Sequence, residues 1–582
     1  MSEQTFKPTD EQSAAIGHDG SAFVTACPGA GKTRIMTERA RHVFSDIPPG
    51  RGVAFLSFTQ AAVSELETRL REEGLLSTPV FPSFIGTFDS FVWQFLVAPF
   101  GIKESEARPR LIADIAHIPV EPFNGAHPLP LSCFCPQTGS IFELAAKRRG
   151  FDASQKPDYQ LQAYMTAATR LRSGLRERGQ LGFDESRAVA LERLNDQTLS
   201  SRIVAALKGR FCEVIVDEAQ DCNPDDLKII SWLRDSRVPV KVVCDPHQSI
   251  YEFRGGITDH LFAFADTFST DQRKNLTGNF RSSPNICKAI AQFRPPSTRG
   301  TPDDALGPLK DQTAPVQILS YTGNGVPASI GTTFSTALNE AGIDISSAPI
   351  VAATKASGAA AAGQPRPTNS THRTIRLAEA VTDFHFAAGF SDMKSAIECV
   401  HQILLELEGH LGDRSYHQYL ADNEVEPTSW RSQVISVLRA LRFDPDKHAD
   451  AHAWHNAAKD LLDQELTIED GQTIAQKLRW NAGLDAALAP VPTSAAMPRT
   501  IHSVKGMEFP AVCVVTTAST LGGILDFLET GEPADKAEDA RKLYVAASRA
   551  EQLLVIAAPK SQTDRLNTHL CGQGASVIVK EI

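Results

Sequence analysis

No run of roughly 18 or more apolar residues occurs in the chain, so the sequence predicts no membrane span. The N-terminus, MSEQTFKPTDEQ, has no charged leader backed by an apolar stretch, and so does not read as a secretory signal. No C-x-x-C pair exists, and of ten cysteines only Cys133 and Cys135 lie close together. That spacing argues against a zinc or iron–sulfur site and predicts reduced thiols in a cytoplasmic protein. Positive charge is not in excess either. The net charge is −11 and the pI near 5.8, which argues against broad adhesion to nucleic acid but leaves room for a local basic groove. What remains is ordinary for a soluble chain: 582 residues, 42% hydrophobic and 22% charged. The length predicts several domains.

One short stretch organises the rest. Ala26-Cys27-Pro28-Gly29-Ala30-Gly31-Lys32-Thr33 follows an apolar run, Ser21 to Thr25, that reads as a buried strand. It precedes Arg34 to Val43, which reads as a helix. A strand, a glycine-rich turn and a helix opening on Lys-Thr form a phosphate cradle. Gly29 and Gly31 let the backbone approach the phosphates with its N–H groups inward. The helix N-terminus adds partial positive charge. Lys32 is placed to reach the β/γ-phosphates and Thr33 to hold Mg²⁺. Ala26 through Arg34 are the candidate nucleotide contacts. Gln12, about twenty residues ahead, joins them because an amide matches the adenine edge.

Val53 to Phe58 is a second strand, leading into Thr59 and an amphipathic helix through Leu70. A third segment ends in Thr87-Phe88-Asp89-Ser90-Phe91. On an open parallel sheet, ligands bind where strands end. There Thr59 and Thr87 can bond phosphates, and Phe58 or Phe88 can stack on bases. Residues 96 to about 205 break the βα rhythm, first with prolines and then with a helical pattern. Lys147, Arg148, Arg149, Arg170, Arg172, Arg176 and Arg178 make this part locally basic, either as a phosphate-tracking face or as solvated helix surface.

The strand Phe211 to Val216 ends in Asp217-Glu218-Ala219-Gln220-Asp221. Acids at the end of a buried strand are costly unless a metal or a reaction uses them. Asp217 is placed to hold Mg²⁺, and Glu218 to deprotonate the water that attacks the γ-phosphate. Val238 to Cys244 ends in DPHQSIYEFRG, where Gln248 can sense the γ-phosphate. Tyr251, Phe253 and Arg254 interleave aromatic faces with a cation, as a single-strand stacking platform does. Arg281, always charged and forked, suits the γ-phosphate. A second α/β unit begins near 291, with strands at Val316 to Tyr321 and Ala348 to Ala353. The run Ala356 to Ser370 reads as a linker. Residues 371–495 are helical in pattern, with Trp430, Trp454 and Trp480 as core anchors. The α/β pattern returns with TIHSVKGMEF before the strand Ala511 to Thr517, and with a helix carrying Tyr544 and Arg549.

The ordered set Gln12, ACPGAGKT, SFTQAA, GTFDSF, VDEAQD, DPHQSIYEFRG, NFRSS, TIHSVKGMEF and LYVAASRA resembles the UvrD/Rep/PcrA branch of superfamily 1 DNA helicases. The likeness covers roughly half the chain. It implies an α/β fold of two RecA-like parallel-sheet cores, each with a mainly helical inserted domain. The first core would be 1–95 and 206–290, with 96–205 inserted. The second would be 291–365 and 496–582, with 366–495 inserted. The resemblance implies ATP with Mg²⁺ at the cleft between the cores, bound by Gln12, Lys32, Thr33 and Asp217. Glu218 would drive hydrolysis, Gln248 would couple it to DNA, Arg281 and Arg549 would stabilise the transition state, and Glu508 would contact the ribose. Phe58, Thr59, Thr87, Tyr251, Phe253, Arg254 and His502 would touch single-stranded DNA. The implied activity is ATP-dependent helicase or translocase motion, 3′ to 5′, on single-stranded or tailed DNA. The alternative is a DNA-stimulated ATPase or DNA-sensing subunit of a repair or antiphage complex, unwinding little alone and partnered by a separate nuclease subunit. Phe253, where the family usually has tryptophan, and a short second insertion favour that alternative. The stretch after Arg549 is too short for a nuclease domain like that of some relatives.

Overall fold

A computed structural model describes residues 7–103, 105–250, 258–323, 325–364, 370–386, 393–412, 414–423, 425–469, 471–489 and 496–582. The chain divides into two compact units: 1–281 with 303–310, and 282–302 with 311–582. The change of unit falls after Arg281, just ahead of the helix Pro284–Ala291. Among the described residues no helix is long and apolar enough to cross a membrane.

The first unit is built on a six-stranded parallel sheet. Its strands are β1 (Ala22–Ala26), β2 (Gly52–Ser57), β3 (Phe84–Thr87), β4 (Phe211–Val216), β5 (Val240–Cys244) and β6 (Arg273–Leu276). Their order across the sheet is β6-β1-β5-β4-β2-β3. The central strands are largely apolar, with Glu213 on β4 and Lys241 on β5 the charged exceptions, because helices cover both faces of the sheet. One layer packs Phe91, Leu96, Val214, Ile230 and Val242, and the other packs Ile35, Met36, Phe55, Leu66 and Ile215. The flanking helices used below are α1 (Asp10–Ile16), α2 (Lys32–Phe44), α3 (Gln60–Glu72) and α4 (Phe88–Phe91). Between β3 and β4 the chain makes α5 (Asp158–Glu177), α6 (Phe183–Leu194) and α7 (Gln197–Arg210). After β4 comes α8 (Pro224–Asp235).

Of the basic residues in this insertion, Arg172 is not a surface cation. It is buried, paired to Glu185 at 2.7 Å, and donates to the carbonyls of Leu131, Phe134 and Cys135. Arg176 pairs with Glu192. Lys147, Arg148, Arg149 and Arg170 are exposed.

The second unit has its own parallel sheet: β7 (Val316–Tyr321), β8 (Ile350–Ala352), β9 (Pro498–Thr500), β10 (Phe509–Val515), β11 (Ala550–Pro559) and β12 (Val577–Glu581). Its order is β9-β8-β10-β11-β7-β12. A separate helical core lies between β8 and β9 in sequence, with Trp430 and Trp454 buried and Trp480 packed at its edge. The linker expected at 356–370 begins instead as a packed helix, Lys355–Ala361, capped by Thr354. Its small residues are the reason. A Cβ on Gly358 would lie 3.2 Å from the Cβ of Pro498, so the low-complexity run allows close seating on the sheet. Residues 365–369 of that run lie outside the described residues.

Candidate nucleotide and nucleic-acid site

The strand order sets the site. Chemistry collects at the carboxyl ends of the first sheet, because each strand ends where its helix turns back. Across that edge stand, in order, Arg281 beyond β6, the cradle after β1, Asp245 after β5, Asp217 and Glu218 after β4, Phe58 and Thr59 after β2, and Thr87 after β3.

The cradle is the expected one. Gly29 and Gly31 hold φ of +71° and +76°, and α2 begins at Lys32 with no side chain capping it. Its first N–H groups are therefore available to an anion. Cys27 N–H donates to the Leu276 carbonyl, and Phe280 N–H to that of Gly29, so the β6 connection braces the turn. Pro28 and Ala30 are buried beneath it. A Cβ on Gly29 would lie 2.5 Å from Asn279 Oδ1 and 2.7 Å from Arg281 Cβ, so Arg281 stands beside the cradle. Gly29→Ala is expected to weaken nucleotide binding about five- to thirtyfold, since left-handed backbone alone costs an L residue about 1–2 kcal/mol. Titration with a fluorescent nucleotide measures it, and unchanged affinity would remove the cradle assignment.

Gln12 is buried and doubly engaged. Its Oε1 accepts from Thr9 N–H at 3.0 Å in a capping box, and its Nε2 donates to the Ala30 carbonyl at 3.1 Å. It braces the cradle, whatever else it contacts. The Arg34 guanidinium pairs with Glu73 at 2.7 Å and Glu38 at 3.0 Å.

Lys32 Nζ lies 3.3 Å from Glu218 Oε1. Burial alone would lower its pKa, but Glu218, Asp245 and Asp217 together outweigh that and raise it. Asp217 is buried and its Oδ1 has no hydrogen-bond partner. Burial, with Glu218 adding repulsion, pushes its carboxyl up to about 7 although Lys32 opposes this. An orphaned carboxylate oxygen in a strand-end pocket, with the Thr33 hydroxyl on the first turn of α2, fits a divalent cation. Glu218 has a φ of +54°, a strained backbone for a non-glycine residue and common at functional sites.

Two residues given no role from sequence complete the arrangement. Gln220 donates from Nε2 to Glu218 Oε2 and accepts at Oε1 from Asp245 N–H at 3.1 Å. Asp245 in turn accepts from His247 N–H at 3.0 Å and from Gln248 Nε2 at 2.8 Å. A continuous polar chain thus runs Lys32–Glu218–Gln220–Asp245–Gln248. The signal for Asp245 was present: like Asp217, it is an acid at the end of a buried strand. Gln220 carried no such mark.

Toward β2 and β3 the character changes. Thr59 and Thr87 cap α3 and α4, accepting from the N–H groups of Ala62 and Ser90. The Thr59 hydroxyl, used as an acceptor, keeps its own proton for another oxygen, while Thr87 Oγ1 also shares a hydrogen bond with Ser90 Oγ at 2.8 Å. Phe58 is half-exposed and stacks on Phe88, with ring centroids 5.4 Å apart. Phe88 itself is wholly buried. The expectation that Phe88 stacks on a base is therefore corrected: it is the backing for Phe58, because its helix turns it into the sheet core. Tyr251, Phe253 and Arg254 lie outside the described residues.

In the second unit, Arg549 follows the helix Ala537–Ala547. Its guanidinium donates to the Val545 carbonyl at 3.0 Å, the Met507 carbonyl at 3.3 Å and Ser548 Oγ at 2.9 Å. This brings Arg549 within one residue of Glu508, which is exposed ahead of β10. His502 is exposed on a short helical turn after β9.

Residues 8–269 match the family model described as the UvrD/REP helicase N-terminal domain, and residues 496–561 match the UvrD-like helicase C-terminal domain. The chain is 24% identical to the ATP-dependent DNA helicase UvrD2 of Mycobacterium tuberculosis over 591 residues, covering 94% of this chain and 77% of that protein. It is 26% identical to DNA helicase II of Haemophilus influenzae over 290 residues, 47% of this chain and 38% of the relative. It is 25% identical to the ATP-dependent DNA helicase PcrA of Staphylococcus epidermidis over 298 residues, 48% of this chain and 38% of the relative. The aligned stretch thus spans well under half the length of the last two relatives.

Proposed function

This chain belongs to the UvrD/Rep-like DNA helicases, and on that premise we propose that it is an ATP-driven motor that moves 3′ to 5′ along single-stranded DNA and unwinds duplex ahead of it. One observation carries the reading. A glycine-rich turn, acidic strand ends and strand ends bearing phenylalanine and threonine stand in succession along one parallel sheet, and a polar chain from Lys32 to Gln248 links the first two.

In this proposal Lys32 and the first-turn N–H groups of α2 hold the ATP phosphates. Thr33 and Asp217 hold Mg²⁺, which supplies charge neutralisation on the transferring phosphoryl group. Glu218 takes the proton of the attacking water, and Gln220 keeps its carboxylate oriented. Gln248 reports the γ-phosphate to the segment that follows it. Arg281 beside the cradle, and Arg549 by family pattern, stabilise the transition-state charge, with Glu508 on the ribose. Phe58, Thr59, Thr87 and His502, with Tyr251, Phe253 and Arg254, receive the DNA strand. The domain division is proposed as 1–95 with 206–290, and 291–365 with 496–582, around insertions at 96–205 and 366–495.

The test is the ATPase rate of the purified chain with and without oligo(dT), followed by unwinding of a fork with a 3′ or a 5′ tail. Stimulation by oligo(dT) and unwinding of the 3′-tailed fork are the expected results. A rate indifferent to oligo(dT) would overturn the motor. Stimulation without unwinding would favour a second reading, a DNA-stimulated ATPase that works within a complex. Phenylalanine at 253, a smaller stacking face than the family's usual tryptophan, supports that reading.

A further inference from the structure

Helix α6 of the first insertion grips the segment after β3 at two points. Arg193 donates to the carbonyls of Leu96 and Val97 at 2.5 and 2.7 Å, and to that of Gly101. Those carbonyls belong to a π-helical turn, Val92–Val97, and the stretch behind it, where regular backbone pairing is interrupted. Six residues earlier on α6, Arg187 reaches Asp89 Oδ1 at 2.5 Å through one terminal nitrogen and Asp226 Oδ1 at 2.6 Å through Nε. Its other terminal nitrogen meets Asp184 at 3.2 Å. Arg187 and Asp226 are buried, while the Asp89 side chain is 29% exposed.

These carboxylates belong to different parts of the site. Asp89 lies two residues past Thr87, on the turn assigned above to DNA. Asp226 sits in the first turn of α8. There it closes a capping box, its Oδ2 accepting from Asn223 N–H at 3.0 Å. Upstream, Cys222 N–H donates to the Ala219 carbonyl, and Asp221 N–H to that of Glu218. One guanidinium therefore spans the nucleic-acid turn and the segment carrying the hydrolytic carboxylate. A planar fork can hold two carboxylates in fixed relation, which a lysine cannot.

We propose that Arg187 is a positioning residue that couples DNA on the 87–91 turn to Glu218, so that strand binding accelerates hydrolysis through the Asp89–Arg187–Asp226 bridge. This rests on the motor reading above. A plain structural staple would instead affect stability and leave stimulation intact.

The test uses the full chain, wild type, Arg187→Met, Arg187→Lys and Asp89→Asn. It reads ATPase rate with and without oligo(dT), oligo(dT) affinity by fluorescence anisotropy, and thermal melting. Asp89→Asn covers the case in which the buried arginine variants fold poorly. The stimulation ratio is expected to fall about tenfold in Arg187→Met, with no rescue by Arg187→Lys and a fall in the same direction in Asp89→Asn. In the Arg187 variants basal rate and oligo(dT) affinity should stay within about twofold. A ratio retained in Asp89→Asn and in whichever arginine variant folds overturns the coupling. So does a ratio that falls only in step with DNA affinity. A wild-type chain that ignores oligo(dT) overturns the motor reading and this proposal with it, so the two failures are read from different samples.

Discussion

Glu218→Gln is expected to leave ATP bound while lowering turnover about a thousandfold, the scale set by removing a general base together with its electrostatic role. The substitution is isosteric, so the hydrogen bond from Gln220 can be kept through the amide oxygen. The φ of +54° at this position is a backbone property and remains. What is lost is the carboxylate, which can accept a proton from water and which balances Lys32 at 3.3 Å. With one repelling carboxylate gone, Asp217 ionises more readily, so the cation and nucleotide should be held at least as well as in the wild type. Lys32→Ala gives the complementary result, losing turnover and weakening the nucleotide as well, because it removes the cation at the phosphates. Phosphate release and fluorescent-nucleotide titration on the two variants separate the roles. Turnover within tenfold of wild type in Glu218→Gln would move the base elsewhere, and Asp245, already joined to Glu218 through Gln220, would be the first place to look.

The two sheets were legible because their central strands are mostly apolar, each broken by at most a polar residue or two, and end in chemistry. Phe211–Val216 and Val316–Tyr321 were read to the residue. Two strands at the sheet edges were not. Arg273–Leu276 and Val577–Glu581 carry charge, as edge strands do to discourage further pairing, and charge hides them from a hydrophobic pattern. The cradle was legible because glycine, lysine and threonine there answer to backbone geometry and phosphate charge, both local demands. Phe88 was misread because a phenylalanine at a strand end looks the same whether it faces solvent or core, and only the turn of α4 decides. Gln220 and Arg187 acquire meaning from partners 25 and 98 residues distant. Nothing local marks an arginine on a helix as a bridge rather than as surface.

The largest stability effect is expected on the opposite side of the same sheet. Glu213 on β4, Arg39 on α2 and Lys241 on β5 form a buried cluster, each under a tenth exposed. Arg39 holds Glu213 with two nitrogens, at 3.0 and 2.6 Å, and bonds the Ile16 carbonyl with a third. Lys241 lies 3.8 Å from the same carboxylate and donates to the carbonyls of His18 and Gly20. One anion therefore serves two cations. Glu213→Ala strands both, and should cost about 3–5 kcal/mol, enough to lower the first melting transition markedly. The surplus cation also sets a pH dependence. Burial, with Arg39 adding repulsion against the pull of Glu213, lowers the Lys241 pKa from 10.5 to about 8. Between those values the unfolded chain keeps a proton that the folded chain has released, so stability from this group rises with pH. It is fully present above 10.5 and lost as pH falls through 8. The shift corresponds to about 3 kcal/mol at most. Melting the wild type beside Lys241→Met across that window should show the wild type gaining on the variant as pH rises. A constant gap would mean that the lysine stays charged throughout, its carbonyl partners sufficing to hold the ammonium in place.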